Sequence, residues 1–154
     1  MGGLMSRNKG KRAEREIVKL LQPIVTKEYM DAGLEAPELE RNLMQSHKGG
    51  YDIEGLDWMA PEVKHHETLA VNSWWEQTLE QAAAKSREPV LFYRQNNAKW
   101  KVRMIGFLPI EAHGVVGQQR LRLPVDIAID HYLIWFQQRV KVEVKKLVEA
   151  EDSK

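Results

Sequence analysis

Asp52, Glu62 and Lys64 are the residues whose types and spacing suit chemistry. On a β-strand, residues two apart point to the same face, so Glu62 and Lys64 project together and Val63 points into the opposite layer. With Asp52 on the neighbouring strand, two carboxylates and one ammonium converge. Hard divalent cations take oxygen ligands, and Mg²⁺ binds through one or two carboxylates together with waters and phosphate oxygens. A metal so held lowers the pKa of a water toward neutrality and polarises a phosphoryl group. The lysine would orient the attacking hydroxide or offset the charge of the transition state. The chemistry would be phosphodiester hydrolysis. The pattern alone is weak: 29 % of the residues are charged, so an Asp followed by Glu-x-Lys arises often by chance. A solvated strand face with an incidental ion pair fits it too.

Glu14 narrows the choice. On a helical wheel of about 100° per residue, Ala13, Ile17, Val18, Leu20, Leu21 and Ile24 form one apolar arc, and Glu14 falls inside it. Glu16 falls on the polar flank. A carboxylate in a buried stripe is costly unless it is paired or metal-bound. Glu14 is therefore either a third acid aimed at the same cluster or a glutamate at the edge of the stripe that bends to water.

The elements that must position these groups follow from periodicity and punctuation. A first helix is expected from Lys9 to Leu21, kinked or ended by Pro23. Thr26–Met44 reads as an acidic loop with a short helix over Pro37–Asn42, closed by Gly49-Gly50. Tyr51–Leu56 and Trp58–His66 read as an antiparallel strand pair. Ser73-Trp74-Trp75-Glu76 fits a capping box, opening a helix with Trp75, Leu79, Ala82 and Ala83 as its buried stripe. Val90–Tyr93 and Trp100–Ile105 read as strands around a turn at Gln95–Ala98. Phe107–Arg120 shows no clear pattern, and Leu121–Ile129 suits a strand. Asp130 is expected to cap a last helix reaching Ala150, although the alternation of Val140, Val142 and Val144 also suits a strand. The order indicates one mixed-sheet α/β domain.

Several strings carry a resemblance. Lys9-Gly10-Lys11-Arg12-Ala13-Glu14-Arg15-Glu16 is similar to the opening of the archaeal Holliday junction resolvases. Ser46-His47-Lys48-Gly49-Gly50-Tyr51-Asp52 resembles their approach to the motif aspartate, Pro61-Glu62-Val63-Lys64 their E-V-K strand, and Pro89–Arg94 their later P-V-L strand. In that order, over Lys9–Ile105, these strings resemble the PD-(D/E)XK nucleases. The resemblance implies a restriction-endonuclease-like core, residues 1–106, with a basic N-terminal arm. Residues 107–154 would be a C-terminal extension, packed on the same domain or dimerising it. Glu14, Asp52 and Glu62 would be metal-binding acids, with Val63 in the metal set, and Lys64 the catalytic lysine. Gln77 would be a further catalytic residue on the following helix, with Gln81 second. Mg²⁺ would be the cofactor, replaceable by Mn²⁺. The activity would be DNA cleavage, on branched or duplex DNA. The alternatives are a repair, restriction or recombination nuclease without junction preference, and a DNA-binding or assembly module of the same fold without catalysis. Thr26–Met44 is longer and more acidic than the family's connection, and Phe107–Lys154 has no counterpart in the compact resolvases.

Charge and composition add the partners. Net charge is only +1, so its distribution matters more. Arg7, Lys9, Lys11 and Arg12 precede the first acid, and such a run either tracks phosphates or is a solvated terminus. Ser46, Lys48 and His66 are placed with the DNA contacts. His65 and His66 point opposite ways and do not share a metal. Trp74 and Trp75 would stack on bases or pack in the core, Trp75 more naturally the latter. Arg94 and Lys99 near the hairpin suit phosphate contact or plain exposure. With 154 residues, 43 % of them apolar, the chain can bury one core. It lacks cysteine, a signal-peptide pattern and any apolar run of about 20 residues. A soluble protein of the cytoplasm is expected, the host's if a phage encodes it, without membrane contact. A homodimer is expected too, through an aromatic patch of Tyr132, Leu133, Trp135 and Phe136.

Overall fold

The computed structural model describes residues 2–43, 50–112 and 115–154, without the side chains of residues 2 and 111–118. The order is α1 (Gly2–Asp31), β1 (Glu40–Arg41), β2 (Ile53–Glu54), β3 (Met59–His66), α2 (Val71–Ala84), β4 (Glu88–Gln95), β5 (Lys101–Ala112), β6 (Val115–Ala128) and α3 (Ile129–Asp152). The main sheet runs β3-β4-β5-β6. Its β3–β4 pair is parallel, bridged by α2, and the other pairs are antiparallel. The architecture is a single α/β domain with a mixed sheet between helices. β6 extends that sheet and α3 lies beside α1, so residues 107–154 share the core of the rest. Among the described residues no helix is long and apolar enough to cross a membrane.

The sheet's two faces explain which positions are apolar. Met59, Val63, Val90, Phe92, Val102 and Met104 face α1 and α3, which bring Ile17, Leu21, Val25, Tyr132 and Phe136. Leu91 and Tyr93 face α2, which brings Trp74 and Trp75. Both tryptophans are buried, so they pack and do not offer open stacking surfaces.

Several local expectations are corrected. Pro23 lies inside α1, and the helix runs on to Asp31. A proline in a helix interior costs about 3 kcal/mol, whereas burying Val25 and half-burying Ile24 and Tyr29 returns roughly 1–3 kcal/mol each. The Gln22 side chain also ties α1 to the returning chain. It donates to Pro37 O at 3.0 Å and accepts from Leu39 N–H at 2.7 Å. The Lys9–Arg12 run is thus helical, not a loose arm. Residues 37–42 hold no helix. Glu40–Arg41 forms a two-residue strand on β2, whose neighbour is β1 and not β3. α2 starts at Val71, so Ser73 sits within the first turn and its hydroxyl donates to Ala70 O at 3.0 Å instead of capping. The buried stripe of α2 is Trp74, Trp75, Thr78 and Ala82, while Leu79 and Ala83 are exposed.

β4 pairs with β5 only over Lys101–Met104. Beyond that, β5 and β6 continue as a two-stranded ribbon to Ala112 and Val115. Phe107, Leu108 and Leu121 are exposed there. With no core to face, the ribbon needs no strict alternation, which is why Phe107–Arg120 is hard to read. In α3, Asp130 stands in the first turn but makes no capping bond. Tyr132, Phe136, Val140 and Val144 recur every four residues and are buried. The helical period therefore overrides the local alternation. Of the expected aromatic patch, Tyr132 and Phe136 are buried in this chain's own core, while Leu133 and Trp135 are half-buried.

Candidate active site

Asp52 is held by backbone on three sides. Its N–H donates to Pro61 O at 2.8 Å, and its carbonyl accepts from Asn42 N–H at 2.8 Å. Its Oδ2 accepts from Val63 N–H at 2.7 Å. The carboxylate is thus locked to β3 one residue from Glu62. The Asn42 side chain donates to Tyr51 O at 2.9 Å, fastening the same segment to β1. The chain then turns at Gly55, with φ of +129°, where a Cβ would lie 2.6 Å from Leu39 Cδ2 and 3.0 Å from Glu38 O. Only glycine fits that approach.

On β3, Met59 to Val63 are buried, Lys64 and His65 half-buried, and His66 exposed. Glu62 is only 3 % exposed and Asp52 7 %. Lys64 Nζ lies 3.3 Å from Glu62 Oε1. Glu62 Oε2 is buried with no hydrogen-bond partner among the described residues. Burial pushes the Asp52 carboxyl well above the usual aspartate range, and the neighbouring charges of Glu62 and Glu14 push it further. Burial also raises Glu62, against the pull of Lys64. Glu14, 7 % exposed on α1, acts on both by its charge, and its Oε2 accepts from Arg41 Nε. The structure therefore brings Glu14, Asp52, Glu62 and Lys64 together.

Two adjacent carboxyls with an unpaired buried oxygen match the oxygen donors that Mg²⁺ or Mn²⁺ prefers. Among the described residues, no three acids or histidines stand together in ligating geometry, and Glu14 is paired with Arg41. Two carboxylates satisfy the protein share of a typical Mg²⁺ site, so the donor set fits. The Val63 side chain is in the core, so Val63 reaches the site only through its backbone.

The remaining expected residues are spread out. Gln77 is exposed on α2, outside the helix's buried stripe. One turn on, Gln81 keeps Oε1 buried and without a partner. Arg7, Lys11 and Glu14 line a cavity of about 650 Å³ together with Arg41. Lys9, Arg12, His65, His66, Arg94 and Lys99 line a separate open groove of about 1150 Å³. Lys9 Nζ donates to Asn96 Oδ1, pinning α1 to the β4–β5 turn. Arg94 sits 5.1 Å from the Trp100 ring, beside His65, with Glu16 at 3.7 Å. His66 packs on Trp74 at 4.9 Å between centroids, and burial with the Lys64 charge lowers its pKa. Ser46 and Lys48 lie outside the described residues. Arg41 was not anticipated. Its one available signal is that it is the lone cation among Glu35, Glu38 and Glu40.

A family described as "Phage putative PDDEXK endonuclease" matches residues 5–108. The chain belongs to this endonuclease family. The matched residues carry the acid cluster, the lysine and the groove, and end where the ribbon begins. The structure of Archaeoglobus fulgidus Hjc, a Holliday junction resolvase from an archaeal hyperthermophile, is similar with a TM-score of 0.41 and 16 % identity, covering 81 % of this chain and 95 % of that one. No curated protein sequence matches the chain.

Proposed function

We propose that this endonuclease cuts DNA with a divalent metal held at Asp52 and Glu62, assisted by Lys64. One observation carries the reading: two adjacent carboxyls are buried, and Glu62 Oε2 has no hydrogen-bond partner among the described residues. Burying carboxylates side by side costs about several kcal/mol, and apolar residues would serve a scaffold better. Mg²⁺, or Mn²⁺ in its place, would supply an acidified water and polarise the phosphoryl group when bound there. Asp52 is held in place by the Val63 N–H that donates to its Oδ2. Lys64 is free to move its ammonium from Glu62 toward the phosphate once Glu62 has another cation. Glu14 is the third acid of the set.

The groove supports a DNA path. Lys9, Arg12, Arg94 and Lys99 outnumber its acids, Glu16 and Glu67, and would follow a phosphate backbone. His66, kept neutral, lines that groove two residues along β3 from Lys64. Arg7 and Lys11 would meet phosphates at the second cavity. The string similarities at Lys9–Glu16 and Pro61–Lys64 favour branched DNA as the substrate. Paired cuts in a four-way junction need two copies of the cluster, hence a homodimer, the commonest oligomer symmetry. A phage enzyme of this kind would work in the host cytoplasm.

A panel of linear, flapped and four-way DNAs, each with Mg²⁺ or chelator, tests the reading. Metal-dependent cutting fastest on the four-way DNA is expected. Equal rates on every DNA would leave a repair, restriction or recombination nuclease. Binding without cutting under any divalent ion would refute the enzyme reading in favour of a binding module. A strict monomer in sedimentation on four-way DNA would remove the dimer.

A further inference from the structure

The acid cluster carries an internal cation that the catalytic reading does not use. Arg41 donates through Nε to Glu14 Oε2, and its side chain is only 17 % exposed. Arg41 is not a stray surface residue. β1 pairs it with Ile53, the residue after Asp52, so the backbone that fixes Asp52 also fixes Arg41. The cluster's charges divide unevenly. Glu62 has Lys64 at 3.3 Å, Glu14 has Arg41, and Asp52 has the backbone N–H of Val63. The guanidinium is always charged, so it cannot leave Glu14 by losing its proton. A cation that takes the carboxylate would displace it.

We infer that Arg41 is an exchangeable counter-ion for Glu14, competing with the divalent metal and holding the third acid out of the metal set until a metal displaces it. This inference rests on the proposed metal site. A salt bridge to a buried carboxylate stabilises the protein without metal, since removing one partner strands a buried charge. The same pair opposes metal binding twice over, by occupying Glu14 and by placing a positive charge beside the incoming cation. The cavity lined by Arg7, Lys11 and Arg41 gives the displaced guanidinium open space beside the acids.

The test is Mn²⁺ binding without DNA, counting free ion by its paramagnetic resonance signal. Arg41→Gln should bind Mn²⁺ about tenfold more tightly than the wild type. In a Glu14→Gln background the Arg41→Gln change should tighten binding much less, because the carboxylate they compete for is gone. Arg103→Gln, whose partner Asp126 lies on the far edge strand, should leave the isotherm unchanged. A measurement on the wild type guards against misfolding of the variant. The Arg41 Nε–H resonance should be shifted and slow to exchange without metal, and should move toward the free-arginine position with saturating Mg²⁺. Binding by Arg41→Gln that is unchanged or weaker, or an Arg41 signal indifferent to Mg²⁺, would overturn the exchange while leaving the metal site standing. No Mn²⁺ binding by the wild type would overturn both.

Discussion

The two ends of β3 are built in opposite ways. At its buried half, the Asp52 carboxylate is clamped to Val63 N–H, and both it and Glu62 are shielded from water. At its exposed end, His65 and His66 open onto a groove whose cations sit on long side chains from α1 and the β4–β5 turn. Groups that act on a transition state benefit from being immobile before substrate arrives. Groups that hold a polyanion gain little from a fixed position and much from reach. The first kind should fail abruptly when altered, the second gradually.

The sharpest break is at the buried half. Asp52→Asn or Lys64→Ala is expected to lower the single-turnover cleavage rate by about a thousandfold or more, with the circular dichroism spectrum and DNA affinity nearly unchanged. At the exposed end, Arg12→Ala and Lys99→Ala should each weaken DNA binding only severalfold. Each should make the slope of log affinity against log salt shallower by about one, while the cleavage rate of bound DNA stays near wild type. Loss of catalysis at saturating DNA would place either residue with the acids instead. Point substitutions suit this test, because Lys9–Arg12 lies within α1 and truncation would remove the turn that carries Glu14.

Part of this contrast is legible in the sequence. Glu62 and Lys64 follow from the two-residue period of a strand, and Glu14 from its place in an apolar arc. Local rules failed where distant contacts decide. Pro23 suggests a helix end, but Gln22 and Val25 hold α1 together across it. Arg41 was invisible because its meaning depends on Glu14, far away in sequence. Gln77 and Gln81 are indistinguishable by type, and only the packing of Trp74 and Thr78 sets which one turns inward. In the aromatic run of α3, only the fold shows that Tyr132 and Phe136 turn into the core while Leu133 and Trp135 stay half-buried.

A smaller effect concerns stability. The folded Asp52 carboxyl holds its proton to higher pH than the unfolded one, whose ordinary value is 3.8. The folded state therefore binds more protons above that value, and stability without metal falls as pH rises from there through the raised folded value. Asp52→Asn removes that loss. In thermal melts with chelator it should be a few degrees more stable than wild type at neutral pH, the gap closing toward pH 3.8. A constant gap would mean that Asp52 does not titrate as described. The smallest effect is outside both regions. The Tyr132 hydroxyl is buried without a hydrogen-bond partner among the described residues, so Tyr132→Phe should stabilise by about 1 kcal/mol or be neutral, with cleavage unaltered. A fall in cleavage would tie α3 to the site.

The most direct test of the central claim is one cleavage time course on supercoiled plasmid and four-way DNA, comparing wild type and Asp52→Asn with Mg²⁺ and with EDTA. The buried-acid centre predicts cutting by wild type with Mg²⁺ alone, and none in the other three combinations. Cutting by wild type in EDTA, or by Asp52→Asn at the wild-type rate, would contradict it.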